Sequence, residues 1–492
     1  MSLALVLTAT AACGPSARNE CNANTDTQSD PDNCGACGVQ CNDGDVCEFG
    51  LCEPGPCTPG DTRSCYSGPG GTEGVGECRA GIQTCDPGGD WAACTGEVTP
   101  RAEDCSNGLD DNCTGEADED TDADGDGFTT CGGDCCDTIE CSRPELVNPN
   151  AFEDDDNGVD DNCDGVVDEV EALCDTGLSS ASSDPLDYAR AIDLCRVATE
   201  DGVTWGVISA TLTLPDGTGL PAEDSRSIRD AFGPNVTPQA GARLIELSSG
   251  VAADANDSNP ASGDFSGDIM NTESDFPADF LAANGGSLPN APGCPGPNGS
   301  TAFDAVMLTL RIRTPSNARS FSLSTNFFSA EYPEWVCSPY NDFFLVLLDS
   351  AYAGDPANPA DKNLATYTAA DGAVYPVGVN LAYGNTGLFR ECQNGATGCE
   401  FGATPGNQTT CTSSSQLLGT GFDEPSPGAC AAGSVLGGGT GWLTTSGNVL
   451  PGEVITVRIA VWDTSDPVLD SLAVIDNFRW SIESTDPGTI LE

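Results

Sequence analysis

The chain has no histidine and a single lysine, Lys362. Without imidazole there can be no Ser-His-Asp relay, no His-Glu-x-x-His zinc site and no imidazole-held copper. A bound metal must be held by oxygen or thiolate, and acid–base chemistry must fall to carboxylates. Positive charge is scarce as well: 17 Lys and Arg stand against 77 Asp and Glu, for a net charge of −60 over 492 residues. Such a field repels nucleic acid and anionic lipid headgroups and attracts cations. No apolar run reaches the ~20 residues of a transmembrane helix.

Cysteine, by contrast, is abundant. Of the 27 cysteines, Cys13 follows a short apolar run at 3–12 that reads as the core of a signal peptide. The sequence TAAC at 10–13 is similar to a bacterial lipobox, which implies lipidation of Cys13 and a tether at 13–20. No Lys or Arg precedes the run, so the basic leading segment is missing, and a plain secretory signal is the alternative. With Cys13 set aside, 20 cysteines lie between Cys21 and Cys195 and six between Cys294 and Cys430. Both numbers are even, so each region can pair internally, as expected of an exported chain in an oxidising compartment. Residues 21–53 resemble the cysteine-rich module of stigma-specific-protein-like sequences. Residues 54–104 read as short hairpin strands around Trp91, without chemistry. Cys392–Cys399 and Cys411–Cys430 are expected as local pairs.

Charge concentrates at 101–175, with 26 acidic and 2 basic residues and a net charge of −24. Here one phrase occurs twice: NGLDDNCTGEADE at 107–119 and NGVDDNCDGVVDE at 157–169. The second copy has the spacing of an EF-hand loop, with Asp160, Asn162, Asp164, the Val166 carbonyl, Asp168 and Glu171 at ligand positions and Gly165 at the turn. Ca²⁺ takes about six to eight oxygens, and alternating side chains of one loop can supply them. The first copy keeps Asp110, Asn112 and Asp118 but has Thr114 and Thr121 at the other positions. Between the copies, Asp120, Asp122, Asp124 and Asp126 alternate, followed by Asp134 and Asp137. This stretch resembles a thrombospondin type-3 loop.

The whole of 105–175 also resembles the MopE-type metal-binding repeat of bacterial surface proteins, with two departures: Cys136 stands at a usual Asp, and Asp155 at the position matching Cys105. Cys163 must therefore find another partner, with the Cys131–Cys141 cluster as the candidate source. A histidine-free donor set favours Ca²⁺, and no organic cofactor is expected. The alternative is an acidic linker that binds no ion.

From 176 onward the composition changes. SSASSDPLDYARAIDLCRVATEDG predicts a helix capped by Asp184, opened by Pro185 and ended by Gly202. Apolar runs then recur at 204–214, 242–250, 303–314, 320–328, 342–350, 374–381, 453–464 and 471–482, separated by Gly, Pro, Asn and Ser. They predict a mainly β fold, a jelly-roll-like antiparallel β-sandwich, preceded by disulfide-rich modules and Ca-loop repeats with little regular structure. Three phrases, LIELSSGVAADAN, NFFSAEYPEWVCSPYNDFFLVLL and LDSLAVIDNFRW, resemble the choice-of-anchor L domain. That resemblance implies surface anchoring rather than a reaction.

The resulting expectation is a non-catalytic, lipid-anchored protein of the outer membrane or cell surface. A calcium-binding stalk would present a sandwich for adhesion or for binding a glycan or protein ligand, with no nucleic-acid partner. A polysaccharide hydrolase using Glu331 and Glu334 and a purely structural spacer are the alternatives. A second metal or ligand site is expected from Glu331, Asn341, Asp342, Asp476 and Asn477.

Overall fold

The computed structural model describes residues 28–30, 33–34, 41, 45–54, 57–101, 103–105, 107–117, 122–137, 142–154, 157–252, 269–393, 409–423, 435 and 437–492. Cys13, Asp118, Asp120, Cys399 and Cys430 lie outside these residues. The chain divides into two units, residues 1–121 with 130–132, and residues 122–129 with 133–492. The division falls within the acidic stretch, so the first repeat belongs to one unit and the second to the other.

The first unit has little apolar material. Strands β1 (Asp45–Glu48) and β2 (Leu51–Pro54) form a hairpin. Phe49 and Gly50 turn it, both at positive φ, the backbone that two-residue hairpin loops require. Strands β3 (Thr62–Cys65) and β4 (Gly81–Thr84) pair antiparallel. The Arg63 guanidinium lies 4.6 Å from the centre of the Trp91 ring. Disulfides Cys34–Cys47, Cys57–Cys85, Cys65–Cys94, Cys78–Cys113 and Cys105–Cys131 staple the unit, in place of a core too small to hold it.

The second unit carries the sandwich. Helix α1 (Pro185–Arg190) opens as the sequence predicts, with the Asp184 carboxylate accepting the Leu186 N–H. It stops at Ala191, eleven residues short of Gly202. Asp193 takes a positive φ, Cys195 is bonded to Cys174, and Val197 bridges to Val207. Tertiary links thus override the helical periodicity. The strands that follow are β5 (Gly206–Thr213), β6 (Arg226–Arg229), β7 (Leu244–Ser248) and β8 (Glu273–Asp275). After helix α2 (Ala278–Ala283) come β9 (Thr301–Arg313), β10 (Ser320–Ser329) and β11 (Phe343–Asp349). Next are β12 (Thr366–Thr368), β13 (Val374–Pro376), β14 (Gly438–Gly439) and β15 (Leu443–Asn448). The last are β16 (Val454–Thr464), β17 (Ser471–Ser481) and β18 (Gly488–Leu491).

One sheet has the order β18-β15-β10-β17-β7-β6, with β14 on β10. The other runs β11-β16-β9-β5, with β8 on β9. Their pairings are antiparallel. The run 374–381 yields only the short β13 before a single helical turn at Val379–Leu381.

Side chains alternate by the strand period of two. Phe344, Val346 and Leu348 of β11, with Ile455, Val457, Ile459 and Val461 of β16, face Phe321, Leu323 and Phe327 of β10 across the central core. The opposite faces are also covered. Phe343, Leu345 and Leu347 pack with Trp462 and with Phe280 of α2, while Phe328, Leu472 and Val474 pack with Phe232 and Phe422. Burial on both faces explains why FFLVLL is continuously apolar rather than alternating. Further disulfides are Cys135–Cys163, Cys294–Cys337 and Cys392–Cys411. Cys163 does draw its partner from the 131–141 cluster. The expected Cys392–Cys399 and Cys411–Cys430 pairs are replaced by Cys392–Cys411, which stays within the C-terminal set of six, as parity allows, but is not the nearest-neighbour pairing that local spacing suggests.

Candidate metal centre

The described residues of the two copies share one pattern of turn hydrogen bonds. In the first, Asp110 accepts the Thr114 and Gly115 N–H groups at 3.1 and 2.8 Å, and Asn112 Oδ1 accepts Thr114 N–H at 3.1 Å. In the second, Asp160 accepts the Asp164 and Gly165 N–H groups at 3.0 and 2.9 Å, and Asn162 Oδ1 accepts Asp164 N–H at 3.0 Å. Asn107 and Asn157 donate to Asp111 and Asp161, each at 2.7 Å. Such carboxylate-to-backbone turns are the local chemistry of Asp and Asn, so the repeat encodes a turn scaffold.

The scaffold includes a residue that the ligand spacing does not flag. Glu103 accepts the Asn112 N–H, and Glu153 accepts the N–H groups of Asn162 and Asp168. Burial pushes the Glu153 carboxyl up to about 7. Its signal was present in the sequence: Glu-Asp precedes each copy, at 103–104 and 153–154.

Within the second copy, Val166 N–H donates to Asp164 and Gly158 N–H to Asp168, both at 2.9 Å. Glu171, at the last ligand position of the loop, instead lies 3.3 Å from Arg196 Nε. Among the described residues, neither copy brings three carboxylates within reach of one ion.

The intervening loop does. Oxygens of Asp122, Asp124 and Asp137 lie within 4.8 Å of one another, and so do those of Asp124, Asp126 and Asp134. Asp124 is shared. The loop is held open by its own turns: Gly125 and Gly127 N–H groups donate to Asp122 at 2.6 and 3.0 Å, and Phe128 N–H donates to Asp126 at 2.8 Å. Both glycines sit at positive φ, where a side chain would strain the turn.

The second element of the loop is anchored from behind. Asp137 accepts Ala123 N–H at 2.6 Å, Asp134 accepts Cys136 N–H at 2.8 Å, and Cys135 is tied to Cys163. Asp124 Oδ2 and Asp134 Oδ2 are buried and receive no hydrogen bond. Burial raises Asp134 to about 6 and raises Asp124 and Asp126 too. Such oxygens are costly to bury when they are charged and unpaired. An oxygen-only set of two sharing triads suits a hard cation.

The remaining expected site residues split. Glu331, Asn341 and Asp342 are buried at one end of the sandwich. Asp476 and Asn477 are not with them. Ser471, which donates to Asp342 at 2.6 Å, precedes Asp476 by five residues, roughly 16 Å of strand. Asp476 accepts Gln239 and Ala240 N–H groups, and Asn477 Nδ2 donates to Ser324 at 3.2 Å. The expected convergence of all five residues at one site does not occur: the strand carries Asp476 and Asn477 away from the other three.

A groove of about 820 Å³ runs beside the second repeat, lined among others by Glu169, Arg196, Trp205, Arg479 and Trp480. Among the described residues no helix is long and apolar enough to cross a membrane. Comparison with family models, curated proteins and solved structures finds no match to the chain.

Proposed function

We propose that the chain is a non-catalytic, exported surface protein in which a cation-set acidic module carries a ligand-binding β-sandwich. The observation that supports this most is the pair of aspartate triads joined through Asp124, in a segment too poor in apolar residues to fold around a core. Calcium is the ion that its oxygen donors suit. At millimolar Ca²⁺ and a dissociation constant of about 10⁻⁴–10⁻³ M, each ion adds roughly 0.4–1.4 kcal/mol, enough to set a loop.

The disulfides support export, and the TAAC sequence supports anchoring through lipid at Cys13. The groove supplies a binding surface in which Trp480 and the Arg196–Trp205 stack, 4.5 Å from guanidinium to ring centre, can meet a sugar or a peptide. Glu331 and Glu334 are buried, away from any polysaccharide, which favours binding over hydrolysis.

The test is limited proteolysis of the full chain with calcium and with chelator, with cleavage sites mapped. Protection of 101–175 by calcium, lost in Asp124→Asn, supports the reading; identical cleavage in both conditions refutes it. Glycan-array binding that falls on Trp480→Ala addresses the ligand.

A further inference from the structure

Strand β11 ends in two very different electrostatic settings. At its Asp349 end, Lys362 and Arg458 each pair with both Asp279 and Asp349. At its Asp342 end, carboxylates gather instead. Phe343 lies opposite Trp462 in the register, so the next pair outward is Asp342 and Asp463. Glu331, from the turn after β10, is repelled electrostatically by both members of this pair, and Asp470, ahead of β17, repels Asp463. Asp466 and Glu334 add further negative charge.

These groups are out of water: Asp463 and Asp470 are 0 % exposed, Asp342 2 % and Glu331 3 %. Asp342 receives the Ser471 hydroxyl at 2.6 Å. Neither oxygen of Asp463 receives a well-formed hydrogen bond, nor does Glu331 Oε2. Ser249 lies beside Asp463, and its hydroxyl donates to the Ser471 carbonyl at 3.3 Å.

Asp342, Asp463 and Glu331, buried together with orphaned oxygens on Asp463 and Glu331, cannot all remain ionised unaided. Burial drives Asp342 up to about 8 and Glu331 and Asp463 well above their usual range. Either protons or a cation must neutralise them. The Asp342–Asp463 pair, with Glu331 and Asp470 around it, offers only oxygen donors, which hard divalent ions take, and no thiolate or imidazole to recruit a softer metal; no three of these oxygens lie within 4.8 Å of one another, so an ion would have to draw them together.

We propose that the sandwich holds its own divalent cation, of the calcium class, between Asp342 and Asp463, with Glu331 and Asp470 as outer donors. The ion locks the ends of β11, β16 and β17 together with the turn after β10. It is separate from the aspartate loop at 122–137, which shares no residue with it.

The test follows the sandwich melt of the full chain by tryptophan emission, after removal of metal and after addition of calcium chloride alone. Trp462 reports locally, since it stacks on Phe343 at 5.6 Å. Calcium at about 100 times its dissociation constant should raise the melting temperature by roughly 5–10 °C. Asp463→Asn should lose this shift, and in chelator it should melt at or above the parent, because one buried like charge is gone. Glu331→Gln reads the same way if Asp463→Asn does not fold. Asp134→Asn, in the aspartate loop, should keep the full shift and lose only loop-bound calcium by metal analysis. An unshifted parent means that protons alone neutralise the pair and overturns the proposal. A shift retained in both Asp463→Asn and Glu331→Gln, or lost in Asp134→Asn, overturns it too.

Discussion

The two ends of β11 solve one problem by opposite means. At the Asp349 end, Asp279 and Asp349 keep 38 and 40 % of their side-chain surface in water and are paired with Lys362 and Arg458. The Arg458 hydrogen bonds hold the Asp279 carboxyl well below the usual carboxylate range. At the Asp342 end the carboxylates are dry, and burial pushes them upward. A chain with 17 basic residues for 77 acidic ones leaves most of its acids without a basic side chain to pair with. Where pairing stops, an external cation or a proton must take over.

The largest expected effect comes from mixing the two solutions. Asp342→Lys places a cation in the dry cluster and should abolish calcium-dependent stabilisation; a calcium shift that persists in its melt would show that the pair is not the site. Next in size, removal of metal should cost the sandwich about 2–3 kcal/mol, the value of an ion at roughly 100 times its dissociation constant, read as the loss of denaturant midpoint in chelator. Arg458→Met breaks the paired end. Because its partners are more than a third exposed, screening limits the loss to about 1 kcal/mol, and the loss should be equal with and without calcium.

The two ends should also respond oppositely to pH. Asp279 has a lowered pKa, so its stability is present above about pH 4 and lost as pH falls through that range. In metal-free protein Asp342 has a raised pKa, so its contribution is complete below about pH 4 and lost as pH rises towards about 8. Melting temperatures between pH 3 and 9 in chelator should therefore peak in between, and Asp342→Asn should lessen the fall on the alkaline side only, with Glu331 and Asp463 supplying the rest. Smallest of all, Asp124→Asn should remove loop-bound calcium by metal analysis and move the sandwich melt by under about 1 °C, since loop and sandwich site share no ligand.

The same contrast separates what could be read from the chain alone. The Asp-Gly phrases at 107–119 and 157–169 were legible because a turn is local: Asp110 and Asp160 reach N–H groups only four and five residues ahead. The spacing that named Glu171 as a ligand could not reveal Arg196, which lies 25 residues on and comes to it only through the fold. Helix α1 was legible at its Asp184 cap, which is a short-range bond, but not at its end, which the Cys174–Cys195 link and the Val197 bridge decide.

By itself the sequence determined the long central strands, through runs such as 303–314 and 453–464, because their alternation and β-branched content express a two-residue period that needs no partner to be seen; shorter strands such as β6, β15 and β18 fall outside its predicted runs. It determined the acidic loops, and by omitting histidine it determined that a bound metal must meet oxygen or sulfur. Tertiary structure decided which acids meet. Asp463 carries no motif, and Asp470 stands in the LDSLAVIDNFRW phrase without being marked as a ligand by it; they join Glu331 and Asp342 because β11 and β16 pair with Phe343 opposite Trp462 and β17 begins beside them. Asp476 carries a promising motif and is removed from the cluster by five residues of extended strand. Convergence of this kind depends on register and crossovers between distant segments, information that local spacing does not contain.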